Sequence, residues 1–85
     1  MFKEYSEQDK EITKKVGERI QFLRQQKGIS LDKLSIEAEL SKNQVWRIEN
    51  HKHNTSLVAL NRIAIALEVS LKDLFDFEQQ ENTSN

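Results

Sequence analysis

Cysteine and proline are absent from these 85 residues, and glycine occurs only twice. Without cysteine there is no disulfide framework, no thiol nucleophile and no thiolate metal site. With so little glycine and no proline, the chain lacks the turn chemistry on which strands and tight hairpins draw. No apolar run approaches the ~20 residues of a membrane span. The opening MFKEYSEQDKE lacks the apolar segment of a secretory signal. A cytoplasmic protein without membrane contact is expected. There is also no glycine-rich phosphate loop and no histidine–carboxylate cluster at a useful spacing, so an enzyme is not expected. What remains is one small domain with one modest core.

The net charge of −1 argues at first against a polyanionic partner, but the charges are unevenly placed. Residues 14–53 carry nine Lys or Arg against five Asp or Glu. Residues 1–13 carry two against four, and residues 68–85 one against five. A basic middle between acidic ends is an electrostatic footprint for nucleic acid, although ordinary surface charge gives a similar pattern.

Apolar spacing and serine positions divide the chain into helices. Ile12, Val16, Ile20 and Leu23 follow one face of a first helix, which starts near Ser6 or Gln8 and runs to Lys27. Gly28 supplies its stop. Ser30 caps a second helix with Leu31, Leu34 and Ala38 inward. Ser41 caps a third, and Gln44 three residues on completes an S-x-x-Q capping box. Val45 and Ile48 then point inward and leave Lys42, Asn43, Trp46 and Arg47 outward. Residues 51–55 form a polar loop. Ser56 caps a fourth helix with Leu57, Leu60, Ile63, Ala64 and Leu67 on its apolar side. Ser70 and Asp73 form a capping box for a short fifth, with Leu71, Leu74 and Phe75. Residues 79–85 are polar and read as disordered.

Residues 30–50, SLDKLSIEAELSKNQVWRIEN, are the most informative stretch. Two short helices flank a tight turn, and the second offers Lys42, Asn43, Gln44 and Arg47. Asn and Gln bind adenine through two hydrogen bonds, and Arg and Lys bind guanine. Each good pair discriminates by roughly 1–3 kcal/mol. A helix presenting such side chains near its N-terminus suits a helix-turn-helix reader of double-stranded DNA. Trp46 either packs partly on the second helix or lies against sugar or a thymine methyl. His51 and His53, one residue apart in a polar loop, make a poor chelate. No metal or cofactor is expected, and protonation of either histidine beside DNA would strengthen binding at mildly acidic pH.

Residues 16–75 resemble the lambda-repressor-like (XRE, Cro/cI-type) DNA-binding family. The resemblance rests on Arg24, the run KGIS before the second helix, RIEN at residues 47–50 and the closing LNRIAIALEVSLKDLF. It implies that Lys42, Asn43 and Arg47 read bases, and that Gln44 and Trp46 reach bases or the adjacent backbone. It implies phosphate contacts from Asn50 and Lys52, and an ion pair between Arg24 and Glu49 that ties the first helix to the third. The chain departs from the family pattern at four places. Leu31 stands where a phosphate-binding Gln is usual, which leaves Lys33 or the helix N-terminus to hold that phosphate. Glu39 stands where the turn usually has Gly, and Thr55 where Pro is common. Residues 1–13 lie outside the family core. The length is that of small stand-alone regulators, restriction-modification controller proteins among them.

The expected fold is therefore all-α, a five-helix lambda-repressor-like domain with an N-terminally extended first helix. Residues 1–13 form the extension, 14–77 the DNA-binding domain with its motif at about 31–50, and 78–85 a disordered tail. The expected function is sequence-specific regulation of transcription by a homodimer on a pseudo-palindromic operator, in the cytoplasm on the nucleoid. Base reading falls to Lys42, Asn43, Gln44 and Arg47, and backbone contact to Lys33, Ser41, Trp46, Asn50 and Lys52. Leu71, Leu74, Phe75 and Phe77 are more apolar than a short terminal helix needs, and the surplus suggests a dimer contact. Phe2 and Tyr5 belong to that interface or to a disordered end. The alternative is an antitoxin or adaptor that uses the same fold to hold a protein partner.

Overall fold

The computed structural model describes residues 5–52 and 54–77. The readings of Phe2, His53 and the tail at residues 78–85 lie outside the described residues. Among those described, four α-helices are followed by one 3-10 helix: α1 Glu7–Lys27, α2 Leu31–Ala38, α3 Lys42–Glu49, α4 Leu57–Leu67, then Leu71–Phe75. The expectation of five α-helices is corrected at this last element. Its capping box is present, with Ser70 Oγ accepting from Asp73 N–H at 3.1 Å and Asp73 Oδ2 accepting from Ser70 N–H at 3.0 Å. Its backbone bonds nonetheless run over three residues, from Asp73 N–H to the Ser70 carbonyl at 3.0 Å and from Asp76 N–H to the Asp73 carbonyl at 3.3 Å. Five residues give too few four-residue bonds to hold the wider α-helical turn.

Serine opens every element. Ser6, Ser30, Ser41, Ser56 and Ser70 are extended, and each side chain accepts the third backbone N–H of its helix. This satisfies a donor that has no partner inside the helix. The caps at Ser6 and Ser70 are reciprocal. At Ser41 the bond is the forward one, Gln44 N–H to Ser41 Oγ at 3.0 Å.

The helix ends are equally regular. Each α-helix closes with a left-handed residue: Gly28, Glu39, His51 and Glu68. The next N–H then reaches back five residues, as from Ile29 to Arg24, Leu40 to Ser35, Lys52 to Arg47 and Val69 to Ala64. These are Schellman ends, in which two otherwise orphaned carbonyls gain donors. Ile29, Leu40 and Val69 also pack against the core. Three of the four left-handed positions carry a side chain, which costs about 1–2 kcal/mol at each. Glu39→Gly is therefore expected to raise stability by about 1 kcal/mol, after allowing for the extra freedom of glycine in the unfolded chain. Urea unfolding checks this, and an unchanged or lower midpoint contradicts it.

One core collects Val16, Ile20 and Leu23 of α1, Leu34 and Ala38 of α2, Val45 and Ile48 of α3, Leu60, Ile63, Ala64 and Leu67 of α4, and Leu74. Two residues expected inward are not. Ile12 lies one turn before Val16, the first core residue of α1, and Leu57 starts α4; both are exposed. Leu74, expected among the dimer contacts, is fully buried in the chain's own core. Leu71 and Phe77 are partly buried against the same core, and Phe75 is the member of that set left exposed.

Arg19 is almost fully buried and ties α1 to the 3-10 helix, its Nε donating to the Asp73 carbonyl at 2.8 Å. Hydrogen bonds from the Ser70 backbone and hydroxyl hold the Asp73 carboxyl below its usual pKa. Lys27, 2.8 Å away, does the same to Glu68. The stability these two groups lend is complete above the ordinary carboxylate range and is lost as pH falls through their lowered values.

Candidate nucleic-acid interface

Val45 and Ile48 anchor α3 in the core, and that fixes which way the helix faces. Lys42, Asn43, Trp46 and Arg47 are exposed, while Gln44 and Asn50 are half-buried. At ~100° per residue, positions 42, 43, 46 and 47 fall within one third to one half of the helix circumference. The sequence-predicted readers thus share an outer surface, with Gln44 at its edge. Trp46 is 45% exposed, so both of its expected roles have surface available.

Three devices hold α3 in place. The first is the ion pair implied by the resemblance. Arg24 Nε lies 2.7 Å from Glu49 Oε2 and Nη2 lies 3.1 Å from Oε1, a two-pronged bond. The Glu49 side chain is 2% exposed and that of Arg24 13%. Arg24 Nη1 also donates to the Ile29 carbonyl at 3.0 Å, so one guanidinium holds both the end of α1 and the end of α3. The second device is Gly17. A Cβ built there would lie 2.4 Å from the Ile48 carbonyl oxygen and 3.0 Å from that of Glu49. The backbones of α1 and α3 touch at this point, and a methyl group does not fit between them. The third is Arg62, whose Nη1 donates to the Glu39 carbonyl at 3.3 Å and so links α4 to the turn between α2 and α3.

The far end of α3 is also organised. Asn50 Nδ2 donates to the Trp46 carbonyl at 2.9 Å. His51 is left-handed, and Lys52 N–H donates to the Arg47 carbonyl at 2.8 Å. This leaves the Lys52 side chain exposed beside the helix end. Lys33 is exposed but engaged, its Nζ lying 3.1 Å from Glu37 Oε2. Ser41 Oγ accepts in the cap and keeps its O–H as a donor. His51 Nε2 lies 3.9 Å from Glu18 Oε2. Beside it opens a cleft of about 360 Å³ between the start of α1 and the loop after α3, where Asn54 Nδ2 donates to Tyr5 Oη at 3.2 Å. Among the described residues no group of three or more His, Asp or Glu is placed to hold a metal, and no helix is long and apolar enough to cross a membrane.

Gly17, Arg62 and the Tyr5–Asn54 contact were not foreseen. Gly17 left a signal: a glycine inside a strongly periodic helix costs about 1 kcal/mol relative to alanine, and so asks for a reason. Arg62 and Asn54 left none, since their partners are a distant carbonyl and a distant hydroxyl.

Four helices round one core, with a capped pair around a tight turn and its second helix facing outward, define a helix-turn-helix protein of the Cro/C1 class. Residues 19–80 match the Cro/C1-type HTH DNA-binding domain, and the chain belongs to that family. The HTH-type transcriptional regulator SlrR of Bacillus subtilis (strain 168) is 38% identical over 64 residues, which are 74% of this chain and 42% of SlrR. The chain thus spans less than half the length of that relative. Among solved structures, the restriction-modification controller protein C.AhdI from Aeromonas hydrophila is similar with a TM-score of 0.75 and 32% identity, covering 76% of this chain and 98% of that one. The wild-type controller protein C.Esp1396I gives 0.74 and 26%, covering 85% and 95%. These relatives are regulators rather than enzymes.

Proposed function

We propose that this chain is a sequence-specific regulator of transcription that binds double-stranded DNA as a homodimer on a pseudo-palindromic operator. The observation that carries the reading is α3: a rigidly placed helix that exposes Lys42, Asn43 and Arg47 together, with Gln44 at their edge. These side chains supply the two-pronged hydrogen bonds that distinguish adenine and guanine in the major groove. Trp46 lies against sugar or a thymine methyl. Ser41, Asn50 and Lys52 hold the phosphate backbone at the two ends of the helix, and Lys33 joins them by leaving Glu37. No cofactor, metal or catalytic role enters this reading, and the site of action is the nucleoid.

Two substitutions separate reading from holding. Arg47→Ala is expected to cost about 1–3 kcal/mol on the preferred sequence and to relax one base position. Lys52→Ala is expected to weaken all sequences alike and to reduce the salt slope by about one unit. Affinity measured on operator and on random duplex over a salt series tests both, and unchanged operator affinity in both variants contradicts the reading. The operator comes from selection on random duplexes with the purified protein. Enrichment of two inverted half-sites one helical turn apart, ~34 Å, supports a two-fold dimer. No enrichment over non-specific binding favours the antitoxin or adaptor role, in which the same fold holds a protein.

A further inference from the structure

Two connected openings lie between α1 and the segment that joins α3 to α4. The outer one is the cleft of about 360 Å³ beside His51, and the inner one is a recess of about 110 Å³. Ile12, Thr13 and Asn54 line both, so one space leads into the other. Their chemistry differs. Val16, Ile48, Leu60 and Phe75 wall the recess. Lys10, His51 and Lys52 edge the cleft, and Asp9 is its one carboxylate among the described residues. One oxygen of that carboxylate already accepts from Ser6 N–H at 2.9 Å. Lys10 meets Glu7 only loosely, at 3.9 Å between two exposed side chains. The Tyr5 hydroxyl accepts from Asn54 and keeps its O–H to donate. The cleft therefore favours negative charge, and the recess an apolar group.

Thr55 adds a second requirement. Its side chain lines the recess, and its hydroxyl oxygen is enclosed without a hydrogen-bond partner among the described residues. Buried hydroxyls are rarely left so, because the desolvation is then uncompensated. A polar atom bound at the inner end of the recess meets that need after a rotation about the Thr55 Cα–Cβ bond.

We propose that this two-part space binds a small hydroxylated organic acid. Lys10, Lys52 and the Tyr5 hydroxyl hold its carboxylate, Ile12 and the recess walls cover its apolar body, and Thr55 pairs with a hydroxyl at its far end. An apolar lining with a few placed polar groups is the usual make-up of a small-molecule site. A closed cavity of ~150 Å³ lined by Leu, Ile and Phe takes a benzene ring. The recess is smaller but opens into the cleft, so a ring fits partly in each. The consequence for regulation rests on the reading above, in which Lys52 holds a DNA phosphate. An ammonium drawn into the cleft is withdrawn from that phosphate. The acid and DNA therefore oppose each other, each lowering the affinity of the other by the same factor.

The probe is para-hydroxyphenylacetate, titrated into the isotope-labelled protein without DNA and followed by amide chemical shifts. Saturable shifts at Ile12, Thr13, Thr55 and Phe75 are expected, with a Kd of about 1 mM or tighter. Phenylacetate lacks the hydroxyl and should bind about fivefold more weakly. Tyramine has an ammonium in place of the carboxylate and should not bind. Thr55→Val keeps the side-chain shape, should unfold no earlier than the wild type, and should bind the two acids alike. Lys10→Ala should weaken both acids. At saturation the probe should lower operator affinity about fivefold in the wild type and leave that of Lys52→Ala unchanged. Shifts that do not saturate, or equal affinity of the wild type for the two acids, overturn the site. A probe that binds in the cleft and leaves operator affinity unchanged overturns the antagonism. Both results leave operator binding by the unliganded protein intact, whereas the absence of any preferred operator overturns the DNA-binding reading and not the site.

Discussion

Arg24→Ala should destabilise the fold by about 3–5 kcal/mol, the cost of removing one partner from a buried ion pair. The reason lies in what is left behind. Glu49 is almost wholly enclosed, and without the guanidinium its carboxylate keeps neither its partner nor water. The Ile29 carbonyl loses its donor as well. A domain of this size has roughly 4–13 kcal/mol of stability in all, so the variant should be largely unfolded at modest urea concentrations. Chemical unfolding followed by circular dichroism measures the loss, and a change below about 1 kcal/mol would show that the pair contributes little. A second variant separates charge burial from packing. Arg24→Met combined with Glu49→Leu removes both charges and should recover most of the stability.

Gly17→Ala is expected to cost about 2 kcal/mol. Alanine favours the helix by about 1 kcal/mol over glycine, but overpacking costs about 1–3 kcal/mol. Here the upper end applies, because the opposing atoms are backbone carbonyls of α3 that cannot rotate away. To admit the methyl group α1 and α3 must separate, and α3 carries the proposed base-reading side chains. Specific DNA affinity should therefore fall further than non-specific affinity. Gly28→Ala is the contrasting case. Its Cβ meets nothing within 4 Å, and its cost comes solely from a φ of +79°. It should lower stability by about 1 kcal/mol and leave the ratio of specific to non-specific binding unchanged. Equal ratios for Gly17→Ala and the wild type would contradict the idea that this contact sets the position of α3.

Four helix starts were legible in the chain because Ser30, Ser41, Ser56 and Ser70 each stand just before an apolar periodic run and have few other readings, whereas the first start stood open between Ser6 and Gln8. The outward set on α3 was legible because Val45 and Ile48 leave it no other orientation. The ion pair of Arg24 and Glu49 came from resemblance, since nothing in spacing alone joins residues 25 positions apart. The helix ends were harder. Gly28 announces a left-handed residue, and the family pattern marked Glu39, but His51 and Glu68 adopt that conformation with no glycine to signal it. Periodicity placed Leu57 inward because it asks which residues share a face, and it does not ask whether the opposite face is also apolar. The 3-10 winding of Leu71–Phe75 depends on the number of backbone bonds a short segment can close, which its side chains do not encode.

The enclosure of the Arg24–Glu49 pair has a consequence for handling the molecule in solution. Dissolved ions weaken attraction between charges that water reaches, and they act far less on a pair shut inside protein. The charges of this central pair and those of the outward face of α3 are thus in different compartments. Raising ionic strength should strip a nucleic-acid ligand from the surface while the scaffold stays folded, and dilution should return the ligand to the same unaltered surface. Capture and release then become a reversible cycle governed by electrolyte alone.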